Sequence, residues 1–207
     1  TNAFSTTMSG STDIVVTKLD STGTVMIGST YIGGNDSDGL NGISSNYGDT
    51  YRGEIIVNDA DNCLVASYTN SSNFPTTASA FQTTTGTQQD GVIFKFNSDL
   101  SALIWSTFLG GTGDDACYGI RVDDNDDVYV TGTAANNDFP SISGGAYPHH
   151  QGSTRDGFIA KLNSSGSSMF AFTFYGTDQQ DQSFFLDLDY NDYVYIYGQS
   201  SGSIPVE

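Results

Sequence analysis

Laid on itself with a shift of about 65 to 77 positions, the chain repeats three times, and that period limits the fold more than any local feature does. The copies open with Ala3-Phe4, Ala80-Phe81 and Ala146-Tyr147, then reach Asp13, Asp90 and Asp156, each heading an apolar stretch: DIVVTKLD, DGVIFKFN and DGFIAKLN. A Ser/Gly turn leads into GSTYIGG, WSTFLGG and AFTFYGT, which end at Gly33, Gly110 and Gly176. An acidic loop follows, then a strand pair around a tight polar turn: EIIVNDADNCLVASYT, GIRVDDNDDVYVTGT and FLDLDYNDYVYIYGQ. The copies close on Phe74-Pro75, Phe139-Pro140 and Ile204-Pro205, giving repeats of approximately 3–79, 80–145 and 146–207 within a single unit over 1–207.

Four short strands per copy, with no helical period in the linkers, match the arithmetic of a four-stranded antiparallel propeller blade. Composition agrees. Nearly all acid is Asp, with Glu only at Glu54 and Glu207, and Asp favours turns over helix interiors. The 12 Tyr and 13 Phe suit strands, and the 24 Gly suit the turns between them. An all-β fold is expected, with hairpins over residues 55–68, 120–133 and 186–197. The Asp-headed strands carry apolar residues on both faces, as a strand buried from both sides does. The first copy is longer by about 12 residues between Gly34 and Arg52, and this Gly/Ser/Asn/Asp stretch, residues 35–51, reads as a surface loop outside the core ladder.

A formal charge of -18, from 24 acidic against 6 basic residues, lacks the basic footprint of a nucleic-acid binder. No run of 18 apolar residues exists to form a transmembrane helix. Cys63 and Cys117 fall in strand-like segments without metal-ligand spacing and read as small buried hydrophobes rather than a disulfide.

The strings FPTTASAFQ at 74–82, DGVIFKF from Asp90, WSTFLGGTGDDA from Trp105 and GIRVDDNDDVYVTG from Gly119 resemble the bacterial beta-propeller repeat known as SBBP. The middle copy carries the likeness best; the third departs from it, with Thr177 in place of Gly111 and Asp178-Gln179-Gln180 in place of the Gly-Asp-Asp turn. The resemblance implies an extracellular setting, in large secreted or cell-surface proteins of bacteria, many of them gliding or type IX secreting Bacteroidetes. There the propeller serves as scaffold or recognition module. It brings no catalytic residue. By analogy with other propellers, the hairpin around Asp126 supplies inner strands and the Asp90 and Trp105 strands supply outer ones. On that register the chain opens with an outer pair, continues through two whole blades and stops after an inner pair. That is about three blades' worth, a partial propeller whose ends share one phase. Flanking blades of the same polypeptide or protein partners would complete it.

The residues that could carry chemistry are few. Asp123, Asn125 and Asp127 alternate like the start of a calcium loop, but without its glycine and distal glutamate, so a structural turn is the preferred reading and no cofactor is assigned. Asp61, Asp126 and Asp192 recur before each returning strand, where a carboxylate can accept backbone N–H bonds. All three lysines, Lys18, Lys95 and Lys161, stand five residues after the recurring Asp, which predicts buried lysines meeting an acceptor that recurs from blade to blade. His149 and His150 read as exposed loop residues, and no G-x-S-x-G elbow or Walker lysine is present. Trp105, Phe108 and Tyr118 read as packing, while Tyr147 is open as a carbohydrate platform. The expectation is a non-enzymatic scaffold or adhesion module; the alternative is a propeller that binds glycan or calcium through its loops.

Overall fold

The computed structural model describes residues 3–43, 50–140, 145–152 and 155–204. Over these it is all-β, with twelve antiparallel strands and no helix. The strands are β1 (Ile14–Leu19), β2 (Met26–Ile32), β3 (Glu54–Val57), β4 (Cys63–Thr69), β5 (Asp90–Phe96), β6 (Leu103–Leu109), β7 (Ala116–Val122), β8 (Val128–Ala134), β9 (Asp156–Leu162), β10 (Met169–Tyr175), β11 (Asp181–Leu188) and β12 (Val194–Ser200). They form two four-stranded sheets, β3-β4-β5-β6 and β7-β8-β9-β10, flanked by the two-stranded sheets β1-β2 and β11-β12. Two whole blades between an outer pair and an inner pair is the register that the repeat implied.

Each hairpin turn has a cap that the sequence writes in every copy. In the inner turns Asp61, Asp126 and Asp192 take φ of 60°, 64° and 59°. Asp reaches this left-handed region more cheaply than most residues because its short side chain bonds locally. The outer turns place Gly23, Leu100 and Gly166 there, so leucine holds a glycine position in one blade. Its side chain is buried among Phe94, Phe96 and Phe108, and that burial offsets the backbone strain.

The middle strands β4, β5 and β8 are buried along their whole length, because blades pack on both of their faces. Between the two whole blades, Leu64, Ala66 and Ile93 meet Ile120, Val130 and Ala160. The Phe of each Phe-Pro motif is a wedge over the outer pair that follows it: Phe74 lies 6.1 Å from Phe94, and Phe139 lies 4.7 Å from Phe158 and 5.2 Å from Phe172.

The long loop of the first copy departs from expectation. Asn41 and Ile43 are buried. Asn41 donates through Nδ2 to the Tyr118 hydroxyl at 3.0 Å and accepts from Gln89 Nε2 at 3.0 Å, while Ile43 joins Tyr68, Ala116 and Tyr118 in a small core. The reason lies in β3, which has four residues where β7 has seven and β11 eight; the inserted chain packs where the missing length of innermost strand would be. Residues 44–49 of that loop lie outside the described residues.

Candidate functional site

The three lysines do not share an acceptor. Lys95, on β5, is buried and pairs with Asp126 in the inner turn of the next blade. Lys161, on β9, reaches the inner turn of its own blade, 2.7 Å from Asp123 Oδ2 and 3.4 Å from Asp127 Oδ2, with its ammonium 4.7 Å from the Tyr129 ring centroid. Lys18, on β1, is exposed and donates to the Ser98 carbonyl at 2.9 Å. Among the described residues the sheet of Lys18 holds only β1 and β2; the expected burial holds for Lys95 alone, and the expected acceptor recurring from blade to blade is not found.

The carboxylates that cap the inner turns also differ from those expected. Asp61, Asp126 and Asp192 supply backbone shape. The oxygens accepting the turn N–H groups belong to Asn58, Asp123 and Asp189, three residues earlier. Asp123 Oδ1 accepts from Asn125 and Asp127 at 2.9 and 3.0 Å while its Oδ2 meets Lys161, so its oxygens are already engaged. The Lys161 charge and these N–H bonds hold its carboxyl below the usual range against the opposing effect of burial. Among the described residues no three His, Cys, Asp or Glu side chains converge as metal ligands.

The sequence reading missed a second recurring carboxylate. Asp38, Asp115 and Asp181 each stand five residues past Gly33, Gly110 and Gly176, a spacing that could have revealed them. Each accepts the N–H four residues back, from Gly34 at 2.7 Å, Gly111 at 2.6 Å and Thr177 at 2.6 Å. The Asp heading the outer pair closes its loop in a similar way: Asp13 accepts from Ser9 at 2.8 Å and Asp90 from Gly86 at 2.7 Å, each four residues back, and Asp156 accepts from Gln151, five back. In the first and third copies the two carboxylates flank one glycine, and in the middle copy Asp90 lies against Gly110. A Cβ on Gly33 would lie 2.6 Å from both Asp13 Oδ1 and Asp38 Oδ2, and one on Gly176 would lie 2.6 Å from Asp156 Oδ1. These positions therefore admit no side chain.

Burial pushes Asp90 up to about 7, with the Gly86 N–H opposing and the Asp138 charge adding. Asp115 is likewise pushed to about 7 by burial, against two backbone N–H bonds, with Asp90 raising it and Arg155 lowering it. Desolvation also raises Asp38 and Asp156. A raised carboxyl pair is what a proton-transfer site uses. Asp90 and Asp115, however, are 0% and 1% exposed, and the arrangement recurs in every copy, which suits loop closure at each blade better than a single reaction centre.

Arg121 crosses three blades at their innermost strands, from β7 to Glu54 Oε1 on β3 at 2.6 Å and to Asp187 Oδ1 on β11 at 3.3 Å. His149 is exposed, but His150 is not: its side chain is 3% accessible, its Nδ1 is 2.8 Å from the Gly152 carbonyl and its ring lies edge-on to Phe174. The Pro-His-His loop folds that ring under itself. Cys63 and Cys117 are free and buried, and burial pushes the Cys63 thiol up to about 11.

Among the described residues, one cleft of about 250 Å³ runs along β1, β3 and β4, lined by Val15, Glu54, Ile55 and Val65, and others lie at the blade ends. Two clefts separate neighbouring inner turns. One of about 490 Å³ is lined by Asp123, Asp124, Asp189, Tyr190 and Asp192, and one of about 280 Å³ by Asn58, Asp59, Asp123, Asp124 and Asp126. Both share Val122, Asp123 and Asp124, so they form one acidic trough across three turns. Elsewhere a cleft of about 350 Å³ is lined by Tyr147, Gln151, Tyr175 and Asp178. Trp105, Phe108 and Tyr118 are buried, with the Trp105 indole N–H on the Ser164 carbonyl at 3.0 Å.

Comparison with curated proteins finds no match. Residues 104–140 match the family model described as a beta-propeller repeat, SBBP. The match runs from β6 of one sheet through β7 and β8 of the next to Phe139-Pro140, so the repeat crosses a blade boundary. Strands β2 to β4 precede it and β10 to β12 follow it in the same order, and at residues 104–140 the chain carries an SBBP beta-propeller repeat.

Proposed function

We propose that the chain is a non-enzymatic interaction module, a scaffold or adhesion segment of a secreted or cell-surface bacterial protein, and that it meets a protein partner through the acidic trough over its inner turns. One observation carries this reading. Recurring polar residues are engaged within the blades, whereas Asp59, Asp124, Asp192 and Tyr190 are exposed along one trough that spans three turns. A surface of one sign attracts a partner of the other, so the partner segment is cationic and its binding weakens with salt. Titration with a lysine-rich peptide should give saturable binding that Asp59→Asn with Asp124→Asn and Asp192→Asn weakens at least tenfold. Unchanged affinity in the triple variant contradicts the assignment.

The second reading is glycan recognition, favoured by the Tyr147 and Tyr175 rings beside the polar groups of Gln151 and Asp178 in one cleft. A glycan array with and without EDTA separates the two. Signals lost in Tyr147→Ala support the glycan reading, EDTA sensitivity would bring calcium into it, and a blank array leaves the protein-partner reading alone.

A further inference from the structure

We propose that His150 is a proton-operated latch: with both ring nitrogens protonated it fastens residues 145–152 to the end of β8, and loss of one proton frees that loop. Both nitrogens face acceptors. Nδ1 lies 2.8 Å from the Gly152 carbonyl oxygen and Nε2 lies 3.3 Å from that of Ala134. A neutral imidazole has one N–H, so either tautomer turns a lone pair on a carbonyl oxygen, whereas the imidazolium donates to both. The side chain is 3% accessible, so bulk water does not replace the lost bond. Asp156 Oδ2, 3.7 Å from Nδ1 at the head of β9, supplies the opposite charge.

The charged groups around the ring favour the second proton. Asp156 is buried, which raises its carboxyl; the Gln151 N–H and the His150 charge oppose that, and Asp181 of β11 adds to it. On the other side, the peptide between Ala134 and Ala135 turns its carbonyl to Nε2 and donates its N–H to Asp115 Oδ1 of β7 at 2.8 Å. Arg155 is engaged with Asp114, donating through Nη1 to its carbonyl at 2.6 Å. Phe174 of β10 offers a ring and no charge. Four residues after Ala3 and Ala80 the other copies have Thr7 and Thr84, where His150 follows Ala146. The device is thus confined to one loop, unlike the carboxylates that recur in every copy.

The same loop carries part of a cleft. Tyr147 and Gln151, on either side of His150 in the chain, line the space of about 350 Å³ beside Tyr175 and Asp178. Tyr147 N donates to Thr173 Oγ1 at 2.8 Å, Phe174 N to the Tyr147 carbonyl at 3.0 Å, and His150 N to Asn137 Oδ1 at 2.7 Å. The imidazole adds the tie to β8 itself, so its release loosens the loop and moves that side of the cleft. The fastened loop binds the extra proton, so fastening is complete at low pH and lost as pH rises.

The test uses the whole chain. His149 and His150 are its two histidines, so His149→Gln leaves one imidazole to follow by nitrogen NMR. At pH 5.5 both nitrogens of His150 should carry a proton, and by pH 8 one should be bare. Over the same range the amide protection of Tyr147 and His150, taken against the intrinsic exchange rate at each pH, should fall at least tenfold. In His150→Gln, whose side chain does not titrate, the loop protection should not change with pH. A bare ring nitrogen on His150 at pH 5.5 overturns the proposal even if the glutamine variant fails to fold. So does loop protection that pH leaves unchanged in the native chain, or an equal fall in His150→Gln.

Discussion

Leu162 and Leu19 occupy the same place in the repeat, after the same lysine, yet the first is fully buried and the second is half exposed. The difference lies in the sheets around them. β9 has β8 on one side and β10 on the other, whereas β1 has only β2. A four-stranded blade thus turns one sequence pattern into core, and a two-stranded remnant turns it into surface, which is why the apolar residues of this chain cannot be sorted into inside and outside from their own segment alone. The electrostatics follow the same division. Lys95 finds a carboxylate in the next blade, Lys161 finds one in its own, and Lys18, without an inner turn beside it, takes a backbone carbonyl.

Truncating core side chains should separate the regions most sharply. Phe158→Ala in the whole blade should cost about 3–5 kcal/mol, while Val15→Ala at the equivalent place in the half-blade should cost less than about 1 kcal/mol in dilute solution. Equal losses in denaturant titrations would mean that the half-blade is packed as tightly as the whole one.

The carboxylate pair at the head of the whole blades should give the next largest effect, through pH. Asp90 and Asp115 sit near 7 in the folded chain against 3.8 for the free side chain. The folded state therefore holds more protons between about 4 and 7, and the stability linked to them is complete below about 4 and lost as pH rises through 7. Stability should fall, on the order of a few kcal/mol, from pH 5.5 to 8. Asp90→Asn, which keeps an oxygen for the Gly86 N–H, should flatten that slope and raise stability at pH 8. A slope of opposite sign, or one unchanged by the substitution, would contradict the burial argument.

The lysines should grade by region. Lys95→Met should lose about 1–3 kcal/mol by stranding the carboxylate of Asp126, with Lys161→Met smaller and Lys18→Met near zero. A large loss at Lys18 in dilute solution would break the comparison. The finest contrast is at the turns: Asp192→Gly, in an exposed half-blade turn at φ 59°, should gain a few tenths of a kcal/mol by relieving the backbone. Asp126→Gly at φ 64° should lose stability, because there the same relief comes with the loss of the Lys95 partner. Matching midpoint shifts for the two would remove that distinction.

Strand order, hairpin positions and the half-blades were legible because the repeat writes apolar runs and turns at fixed offsets. The burial of Trp105, Phe108 and Tyr118 was legible for the same reason. Four features were not. Asn41 and Ile43 sit in a polar loop whose packing depends on how short β3 is, which composition does not record. The burial of His150 depends on a loop folding back under itself. The turn carboxylates were placed three residues late because Asp61, Asp126 and Asp192 recur as Asp in all copies, while the accepting position alternates between Asn58 and two aspartates. The acidic trough was hidden for another reason: its residues come from turns about 65 positions apart, and only the side-by-side arrangement of blades brings them together.

Amide hydrogen exchange tests most directly the claim that completion of the blade, rather than sequence, divides this molecule. In dilute solution β4, β5, β8 and β9 should exchange only through global unfolding, with β1 and β12 at least a hundredfold faster. Uniform protection across all twelve strands in dilute solution, or rapid exchange in β8 and β9, would contradict it.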